Sequence, residues 1–412
     1  MKRLLLTLAA LATCASAALV YAKLDAEERF FRDIRPAHWS WNGADLETIE
    51  RVFERLRVAE GRRVPAGYVD TLEAFGPGNW TYEFEALGDR FMTRAEREDR
   101  KGLSGSASFY YNKAASYYAL AKYPHKGGAV HETRAYQKNI EAVGKAWRAA
   151  GMPFEHIRLR FEEQPVDGLL HLPAGTPPRG GWPLVLAMNG LDVFKGEFFS
   201  LSYLLADQGI AFFALDLMGT GTHAALRLVP ENDRLVSFFM DQLSARDDID
   251  GQALGFMGVS FAGNTAARLA FTEEVRLRAV VNMCGPIHSV FMSDEEDIAD
   301  ILPMYVEGFR DRSHLEGATE TELVAHLSGF SLLLQGLVGE GRTPSTVPLL
   351  SINARNDPVV PALDMELAAA ASVDGQVIYS GTDDHCPQDR FTVMPEVVGF
   401  FEQHLIWPQQ MN

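Results

Sequence analysis

The chain has 412 residues, of which 47% are hydrophobic and 23% are charged, and its formal net charge is −17. This length exceeds what one hydrophobic core usually occupies, so we expect a domain of about 250 residues and an additional domain. The hydrophobic content excludes wholesale disorder, and the acidic balance disfavours nucleic acid and anionic membrane surfaces as partners.

The N-terminal segment 1–22 has the pattern of an export signal. Lys2 and Arg3 precede a short apolar run, and small residues follow, which places cleavage after Ala17 or Ala22. Polar residues interrupt the apolar run, so a permanent membrane span is the weaker interpretation. We therefore predict an exported, periplasmic or secreted protein with no stable span after cleavage. Cleavage would change the formal net charge from −17 to about −19, because it removes two basic side chains and no acidic one.

The sequence contains three cysteines. Cys14 lies in the signal and follows Thr13, a poor residue before a lipidated cysteine, so lipid anchoring is disfavoured. Cys284 and Cys386 are too few for a disulfide framework or a cysteine-built zinc site. They fall in segments expected to approach each other, so one disulfide could form in an oxidising compartment, although two separate thiols are the favoured interpretation.

Residues 23–152 show helical patterns and no convincing series of strands. Apolar spacing over 44–56 and an alanine- and aromatic-rich stretch over 107–121 are both typical of helices. A break follows at 151–153, where Gly, Met and Pro are consecutive. We predict a separate helical domain over 23–152.

From 153 to 408 short apolar segments alternate with helical sequence. The predicted strands are 157–161, 168–172, 184–188, 210–217, 253–259, 279–283, 349–352 and 376–379. Several are continuously apolar, as strands buried on both faces require, so we predict a mostly parallel sheet flanked by helices. Helical, acidic sequence over about 286–345 is too long for a simple connection and is interpreted either as a lid or as a surface helix pair without a catalytic role.

Ser260 lies at a sharp turn between an apolar strand and an alanine-rich helix. A nucleophile elbow needs small residues around its strained serine, and Gly258 and Gly263 supply them, although Ala262 stands where a second glycine is usual. The alternative is an ordinary serine that caps the helix. The partners downstream favour a nucleophile.

Asp357 follows the predicted strand 349–352 and is the candidate acid of a catalytic triad. A carboxylate at a strand end can orient a histidine and stabilise its cation, although Asp357-Pro358 is also a common turn sequence. Asp383 and Asp384 are rival acids, but both are neighbours of the candidate histidine in one loop. They are badly placed to reach the ring nitrogen that faces away from the serine.

His385 lies in the loop after the last predicted strand and is the candidate general base. The chain order Ser260, Asp357, His385 is the one found in α/β-hydrolases and differs from other triad folds. His404, in the last predicted helix, is interpreted as a packing or surface residue. His288, which follows a strand end, is a secondary candidate for lining the pocket.

An oxyanion hole would combine the backbone N–H of Phe261 with one from the loop 189–192 after an early strand. The N–H of Leu191 is the preferred second donor and that of Gly190 is the alternative. Asp192 in the same loop is a candidate substrate contact. The proposed chemistry needs no metal and no organic cofactor.

Four segments together resemble α/β-hydrolases of the type of the fermentation-respiration switch esterase-like proteins and dihydroxypseudooxynicotine hydrolase. They are the loop 189–192, the elbow 258–263, the acid segment 356–361 and the tyrosine-rich helix 106–121. The resemblance implies an α/β-hydrolase domain whose active site is covered by a helical domain that shapes substrate choice.

The favoured function is a serine hydrolase that cleaves a carboxylic ester of a small acyl substrate through an acyl-enzyme. The resembling family also contains hydrolases of carbon–carbon bonds beside a ketone, which is the first alternative. A non-catalytic binding protein on the same scaffold is the second, and it is disfavoured because all three catalytic positions are filled.

Overall fold

The computed structural model describes residues 29–123 and 129–406, and the predicted signal with Cys14 lies outside these ranges. Within them the chain forms thirteen α-helices and one sheet of eight strands. Among the described helices, none combines the length and the apolar character needed to cross a bilayer.

Five helices precede the first strand of the sheet in the described part of the chain. They are α1 (Pro36–Trp41), α2 (Leu46–Val58), α3 (Trp80–Arg100), α4 (Ser104–Lys122) and α5 (Val130–Ala149). The side chain of Asn79 caps α3 by accepting a hydrogen bond from the Tyr82 amide at 3.1 Å. Helix α4 lies between α3 and α5, which explains why its tyrosines and alanines are buried almost all round.

The sheet confirms the predicted α/β fold. Its strands are β1 (Phe154–Phe161), β2 (Gln164–His171), β3 (Trp182–Met188), β4 (Ala211–Leu215), β5 (Ile249–Val259), β6 (Leu277–Met283), β7 (Leu349–Ala354) and β8 (Gly375–Ser380). Their order is β1-β2-β4-β3-β5-β6-β7-β8. The first two pairings are antiparallel and the remaining five are parallel.

Eight further helices flank or extend the sheet. They are α6 (Phe199–Asp207), α7 (Asp233–Ser244), α8 (Phe261–Thr272), α9 (Glu295–Asp300), α10 (Pro303–Arg312), α11 (Glu320–Ser328), α12 (Ala362–Ala370) and α13 (Arg390–Leu405). Helices α9, α10 and α11 all lie between β6 and β7, in the stretch where the sequence predicts a helical insertion.

A buried ion cluster joins the helical layer to the sheet. The Lys195 ammonium is fully buried and lies 2.6 Å from a carboxylate oxygen of both Asp167 in β2 and Asp216 after β4. Tyr136 of α5 contacts the same ammonium and donates its hydroxyl to Asp216. Two carboxylates compensate the buried cation, so the pKa of Lys195 is raised although burial alone would lower it. The helical layer is therefore tied to the sheet by charge as well as by packing.

Parallel order brings the carboxyl ends of β3, β5, β6, β7 and β8 to one edge of the sheet. Side chains that follow these strands in the sequence become neighbours there, although up to 200 residues separate them along the chain. This edge is where the predicted site residues lie.

Candidate active site

Ser260 occupies a strained turn between β5 and α8. Its backbone φ of 53° lies in the left-handed region, and its side chain makes no capping hydrogen bond to the helix. A side chain at Gly258 would overlap the Ala262 carbonyl, and one at Gly263 would overlap the backbone of Gly285. The geometry therefore explains both glycines, whereas Ala262 is tolerated. The Ser260 hydroxyl is directed to a neighbouring histidine and not to the helix.

His385 presents one ring nitrogen to Ser260. Its Nε2 lies 2.9 Å from the Ser260 Oγ, and only 7% of the residue is exposed. The ring reaches this place because its loop follows β8, at the same edge of the sheet as the elbow. A proton can pass directly from the hydroxyl to this nitrogen.

Asp357 contacts the other nitrogen of the same ring. Its Oδ2 lies 2.9 Å from His385 Nδ1, and its Oδ1 accepts the amides of Val359 at 2.7 Å and Val360 at 2.9 Å. Burial raises the pKa of this carboxyl, but the charge of His385 and these hydrogen bonds lower it by more than burial raises it. The pKa therefore lies below its ordinary value. The carboxylate is thus held ionised and oriented toward the ring.

The two rival acids have other surroundings. Asp383 accepts a hydrogen bond from the Asn356 side chain at 3.0 Å. Asp384 is exposed, and partial burial together with the nearby carboxylates of Asp33 and Asp383 raises its pKa. The described contacts of His385 Nδ1 are with Asp357.

The loop 189–192 packs directly against the elbow. A Cβ placed on Gly190 would lie 2.8 Å from Ser260 Cβ and 3.0 Å from the Phe261 nitrogen. The Leu191 carbonyl accepts a hydrogen bond from Arg312 Nε of α10 at 3.1 Å. This fixes the loop beside Ser260. The backbone N–H groups of Leu191 and Phe261 stay the predicted oxyanion donors.

Asp192 and His288, the two predicted substrate contacts, both bond to other side chains of the protein. Asp192 is buried and pairs with Arg35 at 2.8 Å, and His288 bonds through Nδ1 to Ser331 Oγ at 2.8 Å. Neither is among the described residues that line the two cavities at Ser260 and His385. Asp192 anchors the N-terminal segment, and His288 anchors the start of the insertion.

Cys284 and Cys386 form a disulfide, which corrects the expectation of two separate thiols. Cys284 follows β6 and Cys386 follows His385, and their Cα atoms are 5.1 Å apart. Together with His385 they are the one described group of side chains close enough to share a metal ion. The donor set does not fit a metal, because the sulfurs are bonded to each other and His385 Nε2 faces Ser260.

An apolar cavity opens at Ser260, and together with the open solvent at its mouth it spans about 620 Å³. Leu191, Ser260, Phe261 and His385 border it at one end, and most of its remaining wall comes from the region between β6 and β7. That wall consists of Pro286, Val290, Phe291, Ile298, Ile301, Tyr305, Val306, Phe309, Leu323 and Leu327. Val359 and Val360, from the loop that follows β7, complete it. Hydrocarbon therefore surrounds the space beside the hydroxyl.

A second, wider cavity, here called the vestibule, borders His385 from the other side. Together with the open solvent at its mouth it spans about 1790 Å³, and its wall includes five carboxylates and two arginines. These are Asp33, Asp297, Asp300, Asp383, Asp384, Arg29 and Arg35. The vestibule and the apolar cavity share part of their walls, including His385 and Tyr305.

Tyr305 is a site residue that the sequence did not predict. Its ring lies edge-on to His385, with 5.6 Å between centroids, and its hydroxyl donates to Asp33 Oδ2 at 2.6 Å and accepts from Arg35. Asp33 and Arg35 precede α1, so the N-terminal segment holds a residue of α10 against His385. No sequence motif marks this contact, since its partners are about 270 residues apart.

The sequence matches the family described as "Esterase FrsA-like" over residues 7–383. It is 30% identical over 353 residues to Esterase FrsA of Escherichia coli K12, covering 85% of this chain and 82% of that protein. It is 29% identical over 359 residues to Esterase FrsA of Photobacterium profundum, covering 86% and 83% respectively.

Two solved structures have the same fold. The 2,6-dihydroxy-pseudo-oxynicotine hydrolase superposes with a TM-score of 0.72 at 19% identity, over 90% of this chain and 95% of its own. The AbyA5 wild-type structure superposes with a TM-score of 0.65 at 20% identity, over 89% of this chain and 95% of its own. At these identities the likeness concerns the fold.

Proposed function

Because the chain belongs to the FrsA-like esterase family, we propose that it is a serine esterase in which Ser260, His385 and Asp357 form the catalytic triad. One observation carries this proposal. The three side chains form a continuous hydrogen-bonded line, with 2.9 Å from Ser260 Oγ to His385 Nε2 and 2.9 Å from His385 Nδ1 to Asp357 Oδ2.

The first half-reaction acylates the serine. His385 takes the Ser260 proton while Oγ attacks the ester carbonyl, and Asp357 stabilises the imidazolium that forms. The N–H groups of Phe261 and Leu191 stabilise the oxyanion. When the tetrahedral intermediate collapses, the carbon–oxygen bond to the leaving group breaks, and the His385 imidazolium donates its proton to the leaving oxygen, which gives the free alcohol and the acyl-enzyme.

The second half-reaction releases the acid. Water loses a proton to His385 and attacks the acyl carbonyl, and the acyl–oxygen bond to Ser260 breaks. The serine recovers its proton from the imidazolium. Atoms and charge balance in both halves without a metal or an organic cofactor.

A fluorophosphonate probe tests the nucleophile. The wild-type protein should be labelled on Ser260, and Ser260→Ala should abolish labelling and lower the turnover of short acyl esters by about 10⁴- to 10⁶-fold. Ser106→Ala, an exposed serine of α4, is the matched control and should retain both. Undiminished ester turnover by a folded Ser260→Ala protein would contradict the proposal.

We also propose that the enzyme is exported and acts in the periplasm or outside the cell. The pattern of residues 1–22 supports this proposal. Expression of the full chain followed by cell fractionation and N-terminal sequencing tests it. The expected result is a mature chain that begins after Ala17 or Ala22, and an intact N-terminus in the cytosolic fraction would refute it.

A further inference from the structure

Building on the serine esterase proposed above, we propose a substrate class. The acyl part of the ester is a hydrocarbon chain or aryl group of several carbons held in the apolar cavity, and the alcohol part carries no negative charge and leaves through the vestibule. Three features of the structure carry this inference: the composition of the cavity, the position of His385 between the two spaces, and the charge of the vestibule.

The apolar cavity offers an acyl group almost nothing to hydrogen-bond beyond the catalytic end. The Phe261 ring packs edge-to-face on Phe291 and tilted on Phe309, and Leu323 and Leu327 of α11 add to the same wall. A polar or charged acyl group would lose its water there without gaining a partner. A hydrocarbon acyl group would instead exchange water for dispersion contacts.

The two ends of the ester are distinguished by His385. The general acid must hand its proton to the oxygen of the leaving alcohol, so the alcohol lies on the side of the histidine. Ser260, Phe261 and Leu191 border the apolar cavity and are not among the residues that line the vestibule, whereas His385 borders both. The acyl group therefore extends into the apolar cavity, and the alcohol points toward the vestibule.

The vestibule disfavours anionic leaving groups through its charge. Its wall carries five carboxylates against two arginines. Asp33 and Arg35 pair with each other at 2.6 Å, and Arg35 also pairs with Asp192 at 2.8 Å, so four carboxylates and one arginine of the wall lie outside this pair. The whole chain is also strongly acidic. A negative field in a cleft lowers the local concentration of anions, so the carboxylates act by repulsion and need not bind a cation.

An acyl series tests the cavity. With one neutral phenol as the leaving group, kcat/KM should rise from acetyl to hexanoyl esters by up to about fourfold per added methylene. A flat or falling series from a protein whose Ser260 is labelled by the fluorophosphonate probe would overturn the acyl assignment and leave the esterase standing. Absence of both labelling and turnover with every ester would overturn the esterase itself.

Variants of α11 locate the acyl group. Leu327→Trp should shift the optimum to shorter acyl chains, and Leu327→Ala should shift it to longer ones or lower the gain per methylene. Leu334→Ala, which removes the same side chain at an exposed position of the insertion, is the matched control and should leave the optimum unchanged. An unchanged optimum together with an unchanged gain per methylene in folded Leu327→Ala would place the acyl group elsewhere, whether or not the tryptophan variant folds.

A charge series tests the vestibule. Butanoate esters of a phenol bearing a para carboxylate, a para methyl or a para trimethylammonium group should differ mainly in charge, after correction for leaving-group pKa. We expect the anionic ester to be at least about tenfold slower in kcat/KM at low ionic strength, with the gap narrowing in salt. The Asp300→Asn/Asp383→Asn variant should also narrow this difference in kcat/KM. Equal rates for all three esters would overturn the inference that the alcohol part carries no negative charge.

Discussion

Cys386, the neighbour of His385 in the chain, is joined by a disulfide to Cys284, the neighbour of Met283. The Met283 carbonyl in turn accepts the Ser260 backbone N–H at 2.8 Å. The disulfide thus links the backbone that carries the histidine to the backbone that carries the serine. It closes a loop with a sequence separation of 102 residues.

The first prediction concerns this disulfide. The Cys284→Ala/Cys386→Ala variant should lower the free energy of unfolding by about 2–4 kcal/mol and lower kcat more than it changes KM, because His385 loses a covalent restraint. Denaturant unfolding and steady-state kinetics measure the two effects. A phosphine reductant should impair the wild type in the same way and leave the variant unaffected. Full kcat in a wild type whose two thiols titrate as free would contradict the prediction.

The second prediction concerns Asp357, the acid of the proposed triad. Asp357→Asn should lower kcat by about 10⁴-fold, because an amide stabilises the wrong tautomer of His385 and cannot stabilise its cation. Asp383→Asn, in the loop that carries His385, should change kcat by no more than a few-fold. Circular dichroism checks that both variants fold. Equal losses in two folded variants would leave Asp357 without its assigned role.

The third prediction concerns the loop beside Ser260, the proposed nucleophile. Gly190→Ala would bring a methyl group to 2.8 Å from Ser260 Cβ and 3.0 Å from the Phe261 nitrogen, so the loop or the elbow must move. We expect a loss of at least about tenfold in kcat, since oxyanion donors act only when well placed. Gly308→Ala is the control, because its Cβ would lie at an ordinary 3.7 Å from Leu191 Cβ. Similar kcat values for the two variants would count against Gly190 packing on the site.

The fourth prediction concerns the buried ion cluster. Lys195→Met leaves Asp167 and Asp216 without their common cation and should destabilise the protein by about 3–5 kcal/mol. Lys101→Met removes an exposed partner of Glu98 and should change stability by less than about 1 kcal/mol. Urea unfolding of both variants provides the comparison. Equal losses in the free energy of unfolding would show that the buried cluster stabilises the protein no more than an exposed ion pair does.

The sheet was predictable because its strands are apolar on both faces. Segments such as 184–188 and 279–283 carry no alternation, which in a chain of this length favours buried parallel strands, and each predicted strand falls on one of the eight observed. The three triad candidates were also predictable. Each lies just after a strand, and parallel strands bring the residues at their carboxyl ends to one edge of the sheet.

The surroundings of the site were not predictable in the same way. Asp192 and His288 each have the right chemistry for a substrate contact, but Arg35 and Ser331 engage them from distant parts of the chain. The Cys284–Cys386 distance depends on the strand order and on two loop conformations, none of which composition specifies. In each case the contact joins residues that are distant in the sequence, and that contact determines where the side chain lies.

The last prediction concerns Tyr305, whose hydroxyl joins α10 to the N-terminal segment. Tyr305→Phe keeps the ring against His385 and removes the hydrogen bonds to Asp33 and Arg35. We expect a loss of about 1.5–3 kcal/mol in the free energy of unfolding at neutral pH, since the hydroxyl bonds two charged groups. Tyr379→Phe, a partly exposed tyrosine with long hydrogen bonds of 3.4 and 3.5 Å, is the control and should lose about 0.5 kcal/mol or less.

The effect of Tyr305→Phe should depend on pH in a defined direction. Burial raises the pKa of Asp33, but Arg35 and the Tyr305 hydroxyl lower it by more than burial raises it. The pKa in the folded state therefore lies below its ordinary value of 3.8. Stability from such a group is present above the unfolded pKa and is lost as pH falls through the folded one. The difference between wild type and Tyr305→Phe should therefore be constant from about pH 7 to about pH 5 and shrink below about pH 4. A difference that grows on acidification would show that the hydroxyl acts through a group other than Asp33.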